Sequence, residues 1–504
     1  MVQPLHGFDG AFLTASAPHA PLHVGAVLIL EPPIPSHHQL QELVAERLPV
    51  VPALRRRLVQ VPLGLGHPLW VDDARFDLGR HLRRAALPSP GGPLELWSLV
   101  ADVMGRPLDH RHPLWEMVFI EGLESGHLAI VVKIHHAAID GVSGAEALAA
   151  FLDPSPGGRP APAAAPWEGE PVPAAGDLLR HGLRSALRQP ELALDIVVRS
   201  LAAVRQVSER RRRWREEDEL EPPPVPFAAP RCVLNGPISS HRRFASAEVP
   251  MQDLQLIRAR FGGTVNDVVL AAVGGALRSL LLERQALPEP SLVALVPRST
   301  RPPTGGGEPS RTADAASGAP THPAAAAPRR SDPSPANQVS AMVVELATHL
   351  PDPVARLAAV AAGAQRAKEQ SAALPDDLVH RWAQLLVPAL TAPATALSAG
   401  LRLLERLPPL CNVVVSNLPG SPVPLWCCGA RLVGLYPLGP VADGIGLNVT
   451  VISYDDSLFA GLLACRDLVP DVDHLARLFA ESVVELRKAA ERAVPPIPGA
   501  RRLH

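Results

Sequence analysis

The chain has 504 residues, more than one compact core ordinarily holds, and 47% of them are hydrophobic, so two core-forming domains are expected. A formal net charge of -2 argues against a nucleic-acid partner or an acidic polymer as ligand. The five cysteines (Cys232, Cys411, Cys427, Cys428, Cys465) are odd in number and match no zinc spacing, which points to a reducing cytosol rather than a disulfide framework.

The N-terminus, MVQPLHGFDG, has neither the basic region nor the apolar core of a signal peptide. No uninterrupted apolar stretch reaches the roughly 20 residues of a membrane-spanning helix. The expectation is a cytoplasmic protein, soluble or attached at most to a membrane surface.

Residues 1–153 form a first block in which strands and helices alternate, an α/β or α+β pattern. Strands are expected at 25–30, 115–120 and 127–134, and helices at 37–48 and 95–104. Residues 154–173 are a Pro/Ala/Gly linker, followed by a long helical stretch at 175–219 that Pro190 is expected to break. The basic run Arg210–Arg215 around Trp214 reads as a solvated helix end crossing between domains. The alternative, a membrane-surface helix, is disfavoured by the acidic run that follows at 216–219.

The second block, 231–504, carries a helix at 265–284 with Thr264 as N-cap and Asp267 at the third helical position. Strands are expected at 292–296, 339–346, 412–416, 447–452 and 458–464, and helices at 352–370 and 472–493. Residues 302–336 are low in complexity and cannot form a packed core. The apolar segment 378–407, broken by Pro388 and Pro393, reads as two core helices, with a lipid contact as the alternative.

The stretch KIHHAAIDGVS, Lys133 to Ser143, carries the chemistry. His135 and His136 end a strand, and Ser143 with Glu146 forms a capping-box signal for the next helix. Neutral imidazole accepts a proton near pH 7, so either ring suits the deprotonation of an alcohol. Adjacent residues at a strand end point to opposite sides, so one ring can face a channel while the other packs inward. Asp140 fits either an imidazole partner or a brace for the loop, and Gly141 fits a positive φ or a close ligand. A metal site lacks further ligands at a recognisable spacing, and a nucleophile site lacks a G-x-S-x-G. A purely structural pair stays open beside them.

HHAAIDG fits the HHxxxDG pattern of the CoA-dependent acyltransferase superfamily, which includes chloramphenicol acetyltransferase and peptide-synthetase condensation domains. Further motifs resemble the bacterial wax ester synthase/diacylglycerol acyltransferase family. In the first half these are Phe8-Asp9 with Phe12-Leu13, Pro21-Leu22-His23-Val24-Gly25, Trp70-Val71-Asp72-Asp73 and Pro113-Leu114-Trp115-Glu116. In the second half they are Asn235-Gly236-Pro237, Thr264-Val265-Asn266-Asp267, Ser416-Asn417-Leu418-Pro419-Gly420 and Gly446-Leu447-Asn448. The chain departs from the family at Pro297-Arg298-Ser299, in the long 302–336 insertion, and at Cys465, near which an aspartate is expected.

The resemblance implies two chloramphenicol-acetyltransferase-like domains of mixed sheets and helices, divided at 1–153 and 231–504 by the 154–230 linker and crossover helix. An active-site tunnel at their interface would suit acyl chains, since each buried methylene contributes ~0.8 kcal/mol. His136 would be the general base, with His135 beside it, Asp140 supporting the loop and Gly141 completing the motif. Asn266 is the candidate oxyanion donor; Asp267, Ser416 and Asn417 are substrate-binding candidates; Pro113, Leu114 and Trp115 would mark an acyl or entry channel. No metal or bound cofactor is implied; acyl-CoA is a co-substrate.

The implied reaction is transfer of a long acyl chain from acyl-CoA to diacylglycerol or a long-chain alcohol. The alternatives are another alcohol, such as a polyketide or glycolipid, and a non-catalytic lipid-binding paralogue. The inner membrane or a lipid droplet is the expected place of any peripheral attachment.

Overall fold

The computed structural model describes residues 3–5, 7–139, 141–159, 169–216, 222–299, 339–372 and 408–493. Asp140, the 302–336 stretch and the apolar 378–407 segment lie outside the described residues. The first half runs β1 (Gln3–Pro4), α1 (Gly7–Ala15), β2 (His23–Leu30), α2 (His37–Arg47), β3 (Arg56–Val59), β4 (Leu69–Asp72) and β5 (Leu82–Ala86). It continues through α3 (Pro93–Gly105), β6 (Trp115–Glu121), β7 (Leu128–His135) and α4 (Gly141–Ala150), then crosses by the long α5 (Ala175–Glu216).

The second half runs β8 (Arg242–Pro250), α6 (Met251–Phe261), α7 (Val265–Glu283), β9 (Val293–Ser299), β10 (Val339–Glu345), α8 (Pro353–Ala372) and β11 (Val413–Leu418). It ends with β12 (Trp426–Cys427), β13 (Ala430–Leu438), β14 (Leu447–Tyr454), β15 (Ser457–Cys465) and α9 (Val472–Arg492).

Two six-stranded sheets result, in the orders β12-β13-β2-β7-β6-β5 and β10-β9-β11-β14-β15-β8, with a small sheet β1-β4-β3. Both large sheets are mixed: β5 runs parallel to β6, and β11 runs parallel to both β9 and β14. All eight residues of β7 are buried, as expected of a central strand with both faces covered.

The two-block division needs a correction. β12 and β13 come from residues grouped with the second half, yet β13 pairs antiparallel with β2 and extends the first sheet. The halves also share cores: Leu96 and Val100 of α3 cluster with Phe244, Leu438 and Leu463. Burial of apolar side chains across the junction therefore holds the halves together.

Three smaller expectations also change. Helix α5 continues through Pro190. Pro190 itself is exposed, and the carbonyl that its ring leaves without a donor is that of Ala186, one turn earlier. Helix α4 begins at Gly141, so Ser143 lies inside it rather than ahead of it. By length and composition α7 could cross a membrane. It is instead a core helix, packed on α6, α8 and α9, with Val268 to Leu277 buried.

Candidate active site

Strand β7 delivers the histidine pair. In the antiparallel register of β2 and β7, His23 lies opposite His135 and Gly25 opposite Lys133; across β6, Glu116 lies opposite Lys133. Gly25 is required there, because a Cβ would run into the Val132 carbonyl. Lys133 and His135, two residues apart, share one face of the sheet.

On that face the chemistry is structural. The Lys133 ammonium is 1% exposed and has three partners: Glu116 Oε1 at 2.5 Å, the Val103 carbonyl at 2.8 Å and the Arg106 carbonyl at 3.0 Å. It thus ties the C-terminal end of α3 to the motif strand, where a cation is favoured by the helix dipole. Arg83 Nε adds a second cation at 3.2 Å from Glu116 Oε2. Burial pushes the Lys133 pKa down, and Glu116 opposes that push.

His135 is fully buried among His23 and His110, with ring centroids 5.7 and 5.6 Å away in edge-on contacts. Its Nδ1 accepts the Ala137 N–H at 3.0 Å, so the neutral ring carries its proton on Nε2. Burial, then the nearby His110 and His136, holds its pKa at about 3, far below the usual 6.5. His23 is pushed well below its usual value as well, by burial first and then by Lys133 and His135.

This has a consequence for acid stability. Unfolding returns the His135 ring to its ordinary pKa, so between pH 6.5 and about 3 the unfolded chain binds a proton that the folded chain does not. The contribution of the neutral ring is whole above pH 6.5 and is lost as the pH falls through that window. The loss amounts to about 1.4 kcal/mol per unit. The thermal midpoint should therefore drop between pH 7 and pH 5, and drop less in His135→Gln; parallel curves would place the acid sensitivity elsewhere.

His136 departs to the other side. Its ring is half-buried and stacks on Phe12 of α1, with centroids 3.9 Å apart and planes 20° apart. Backbone bonds grip the pair from both neighbours: the His136 N–H donates to the Leu22 carbonyl and the His135 N–H to the Leu114 carbonyl, each at 2.9 Å. Two stretches picked out by resemblance, at residues 21–25 and 113–116, thus clamp the motif. Asp140 lies outside the described residues, and Gly141 opens α4.

Leu114 and Trp115 are 1% and 2% exposed, so they line no open channel. The structure makes them scaffold instead: Trp115 Nε1 donates to the Leu54 carbonyl at 2.7 Å, and its ring stacks on His81 at 4.5 Å. Pro113 is buried with them.

In the second half, Thr264 and Asp267 form a capping box for α7. Asp267 Oδ2 accepts from the Thr264 N–H and hydroxyl, both at 2.8 Å, and Thr264 Oγ1 accepts the Asp267 N–H at 3.2 Å. Capping is therefore the role the structure shows for Asp267. Asn266 is half-buried in the first turn of α7. Ser416 and Asn417 are half-buried on β11, the strand that α4 packs against, so the structure brings that strand beside the helix leaving the motif.

No group of three metal-ligating side chains occurs among the described residues. His23, His110, Glu116 and Phe12 were not singled out for a role by sequence, although His23, Glu116 and Phe12 sat in quoted motifs. Their placement depends on strand register and on α1 folding back, neither of which a local pattern records.

Comparison with known proteins matches the chain to two family models. Residues 5–269 match the wax ester synthase/diacylglycerol acyltransferase catalytic domain, and 336–487 match the WS/DGAT C-terminal domain. A Mycobacterium tuberculosis protein named provisionally as a diacylglycerol O-acyltransferase is 33% identical over 500 residues, covering 97% of this chain and 91% of the relative. A similarly named Mycobacterium bovis protein is 34% identical over 501 residues, covering 98% and 92%.

Among solved structures, the wax ester synthase/diacylglycerol acyltransferase of Marinobacter aquaeolei VT8 superposes with a TM-score of 0.64 at 27% identity. That match covers 97% of this chain and 100% of the other. The starter condensation domain of rhizomide synthetase, a mutant in complex with C8-CoA and Leu-SNAC, shares the fold alone: TM-score 0.54, 14% identity, 98% and 95% covered. Mixed sheets, a histidine pair at a strand end and family matches over both halves agree: the chain is an acyltransferase belonging to the wax ester synthase/diacylglycerol acyltransferase family.

Proposed function

We propose that this acyltransferase moves a long-chain acyl group from acyl-CoA to the hydroxyl of diacylglycerol or a long-chain alcohol, with His136 as general base. The observation that carries the assignment is the opposite fate of the two rings. His135 is sealed in the core with Nδ1 already accepting a hydrogen bond, whereas His136 keeps a half-open ring in a fixed plane against Phe12.

In this reading the His136 imidazole takes the acceptor's hydroxyl proton as the oxygen attacks the thioester carbonyl. The oxyanion of the tetrahedral intermediate takes a hydrogen bond from the Asn266 side chain. Collapse breaks the C–S bond, and the proton passes from His136 to the CoA thiolate. Asp140 supports the loop. No acyl-enzyme forms, and no metal or bound cofactor takes part. The condensation-domain structure with C8-CoA supports acyl-CoA as the donor for this fold. The five cysteines are all free, Cys427 and Cys428 included, which supports a place in the reducing cytoplasm.

The test incubates the purified protein with palmitoyl-CoA and, in turn, diacylglycerol or hexadecanol, and follows free thiol. Thiol release that depends on one of the two acceptors is expected. An inert wild type with both would refute the neutral-lipid reading and leave another alcohol as acceptor.

A further inference from the structure

Helix α5 closes one side of a cleft of about 440 Å³ against the β1 region, a volume that suits a small-molecule site. The close approach is built in at Gly182, where a Cβ would come within 2.7 Å of the Val61 side chain. Leu5 and His67 belong to the facing wall. From the helix come Arg184 with Arg188 and Ser185 with Gln189, each pair one turn apart and so on one side.

Charge without a counter-charge is the first pointer to a ligand. Among the described residues no carboxylate lines the cleft, and neither Arg184 nor Arg188 has a carboxylate partner. Elsewhere on α5, Arg180 pairs with Asp177, Arg199 with Asp195 and Arg212 with Glu216. Arg210, over the buried Trp214, lies 3.8 Å from Glu369 of α8, so the basic end of the helix is docked rather than free in solvent. Two guanidinium groups one turn apart present forked N–H donors that match phosphate oxygens.

The second pointer is the Gln189 amide oxygen, which is buried with no hydrogen-bond donor among the described residues. A buried acceptor calls for a donor, and a ligand hydroxyl or amino group supplies one.

The cleft also adjoins the histidine site. Gly10 of α1 lies against His67, where a Cβ would come within 2.4 Å of the ring Nδ1. Phe12, two residues on and so on the opposite side of α1, stacks on His136. A ligand on the Leu5–His67 wall therefore lies across α1 from the His136 ring.

We propose that this cleft binds a small phosphate ester, with the phosphate between Arg184 and Arg188 and a hydroxyl or amino group donating to Gln189 Oε1. Two sources carry that chemistry. One is the nucleotide end of the acyl-CoA donor, which rests on the acyl-transfer reading. The other is a separate phosphorylated metabolite, which does not.

The experiment titrates the full chain with AMP, CoA, dephospho-CoA and inorganic phosphate in a calorimeter, without turnover. Arg184→Gln/Arg188→Gln should weaken ester binding about tenfold or more, and high salt should weaken the wild type in the same direction. Gln189→Met should weaken the esters and leave inorganic phosphate unchanged. Unchanged thermal midpoints show that the variants fold; if Gln189→Met does not, the exposed arginine pair decides. CoA binding more tightly than dephospho-CoA in the wild type, and equally in the arginine variant, identifies the donor's own 3′-phosphate. AMP binding that needs the arginines and persists under saturating CoA identifies a separate ester.

No ester binding by wild type up to about 1 mM, or equal affinities in wild type and the arginine variant, overturns the proposal. So does inorganic phosphate that binds as tightly as the esters while Gln189→Met changes nothing, because only an exposed cation pair then remains. Either failure leaves acceptor-dependent thiol release intact, which separates it from failure of the acyl-transfer reading.

Discussion

Replacing His136 by alanine is expected to slow acyl transfer by about 10²- to 10⁴-fold, the range a positioned acid–base group contributes. The fold should survive. The ring is half-buried, and losing its stack on Phe12 removes an aromatic contact of about 0.5–1.5 kcal/mol. His135→Ala should behave differently, since it empties a fully buried site and removes the acceptor for the Ala137 N–H. Its cost falls first on the thermal midpoint, with activity falling as the loop loosens. Thiol release at saturating palmitoyl-CoA, measured beside melting curves for both variants, separates the roles. A His136→Ala protein as active as wild type removes the general-base mechanism, and a dead His135→Ala with intact melting reverses the assignment.

Glu116→Ala should be the most destabilising single change at this site. It leaves the Lys133 ammonium buried with two carbonyls and no counter-charge. Breaking one side of a buried pair ordinarily costs about 3–5 kcal/mol. Deleting both charges with Lys133→Met/Glu116→Met should recover much of that loss, because the desolvation of the ammonium disappears with it. Thermal midpoints decide the matter: if the double variant melts below Glu116→Ala, the pair is not where the penalty resides. Lys133 is two residues before His135 on the same face, so a loosened α3–β7 junction should also disturb substrate affinity.

Much of the local architecture was legible because its causes are local. Helices at 37–48, 95–104 and 472–493 and the buried strand ending in His135 follow from apolar spacing, and Thr264 with Asp267 signals a cap by its chemistry alone. The motifs brought out the family because they recur in order along the chain, whatever the sheets do.

The β13 strand was not legible. Gly434 and Pro437 interrupt it, its register shifts between Leu432 and Gly434, and its partner β2 lies some 400 residues earlier. Only a global pairing reveals that the second half completes the first sheet. The Leu114–Trp115 pair misled for a related reason: a motif shows that residues matter, not whether they face a cavity or a core.

The histidine pair shows the division most plainly. By itself the sequence determined that two imidazoles end a buried strand and point to opposite sides, because strand geometry alternates side chains whatever surrounds them. Which ring is sealed was decided by tertiary structure. Burial, then the nearby His110 and His136, hold His135 neutral, its Nδ1 accepts the Ala137 N–H, and the fold-back of α1 sets Phe12 against His136. Proton affinity depends on solvent access and neighbouring charge, and those are properties of the folded surroundings rather than of residue type.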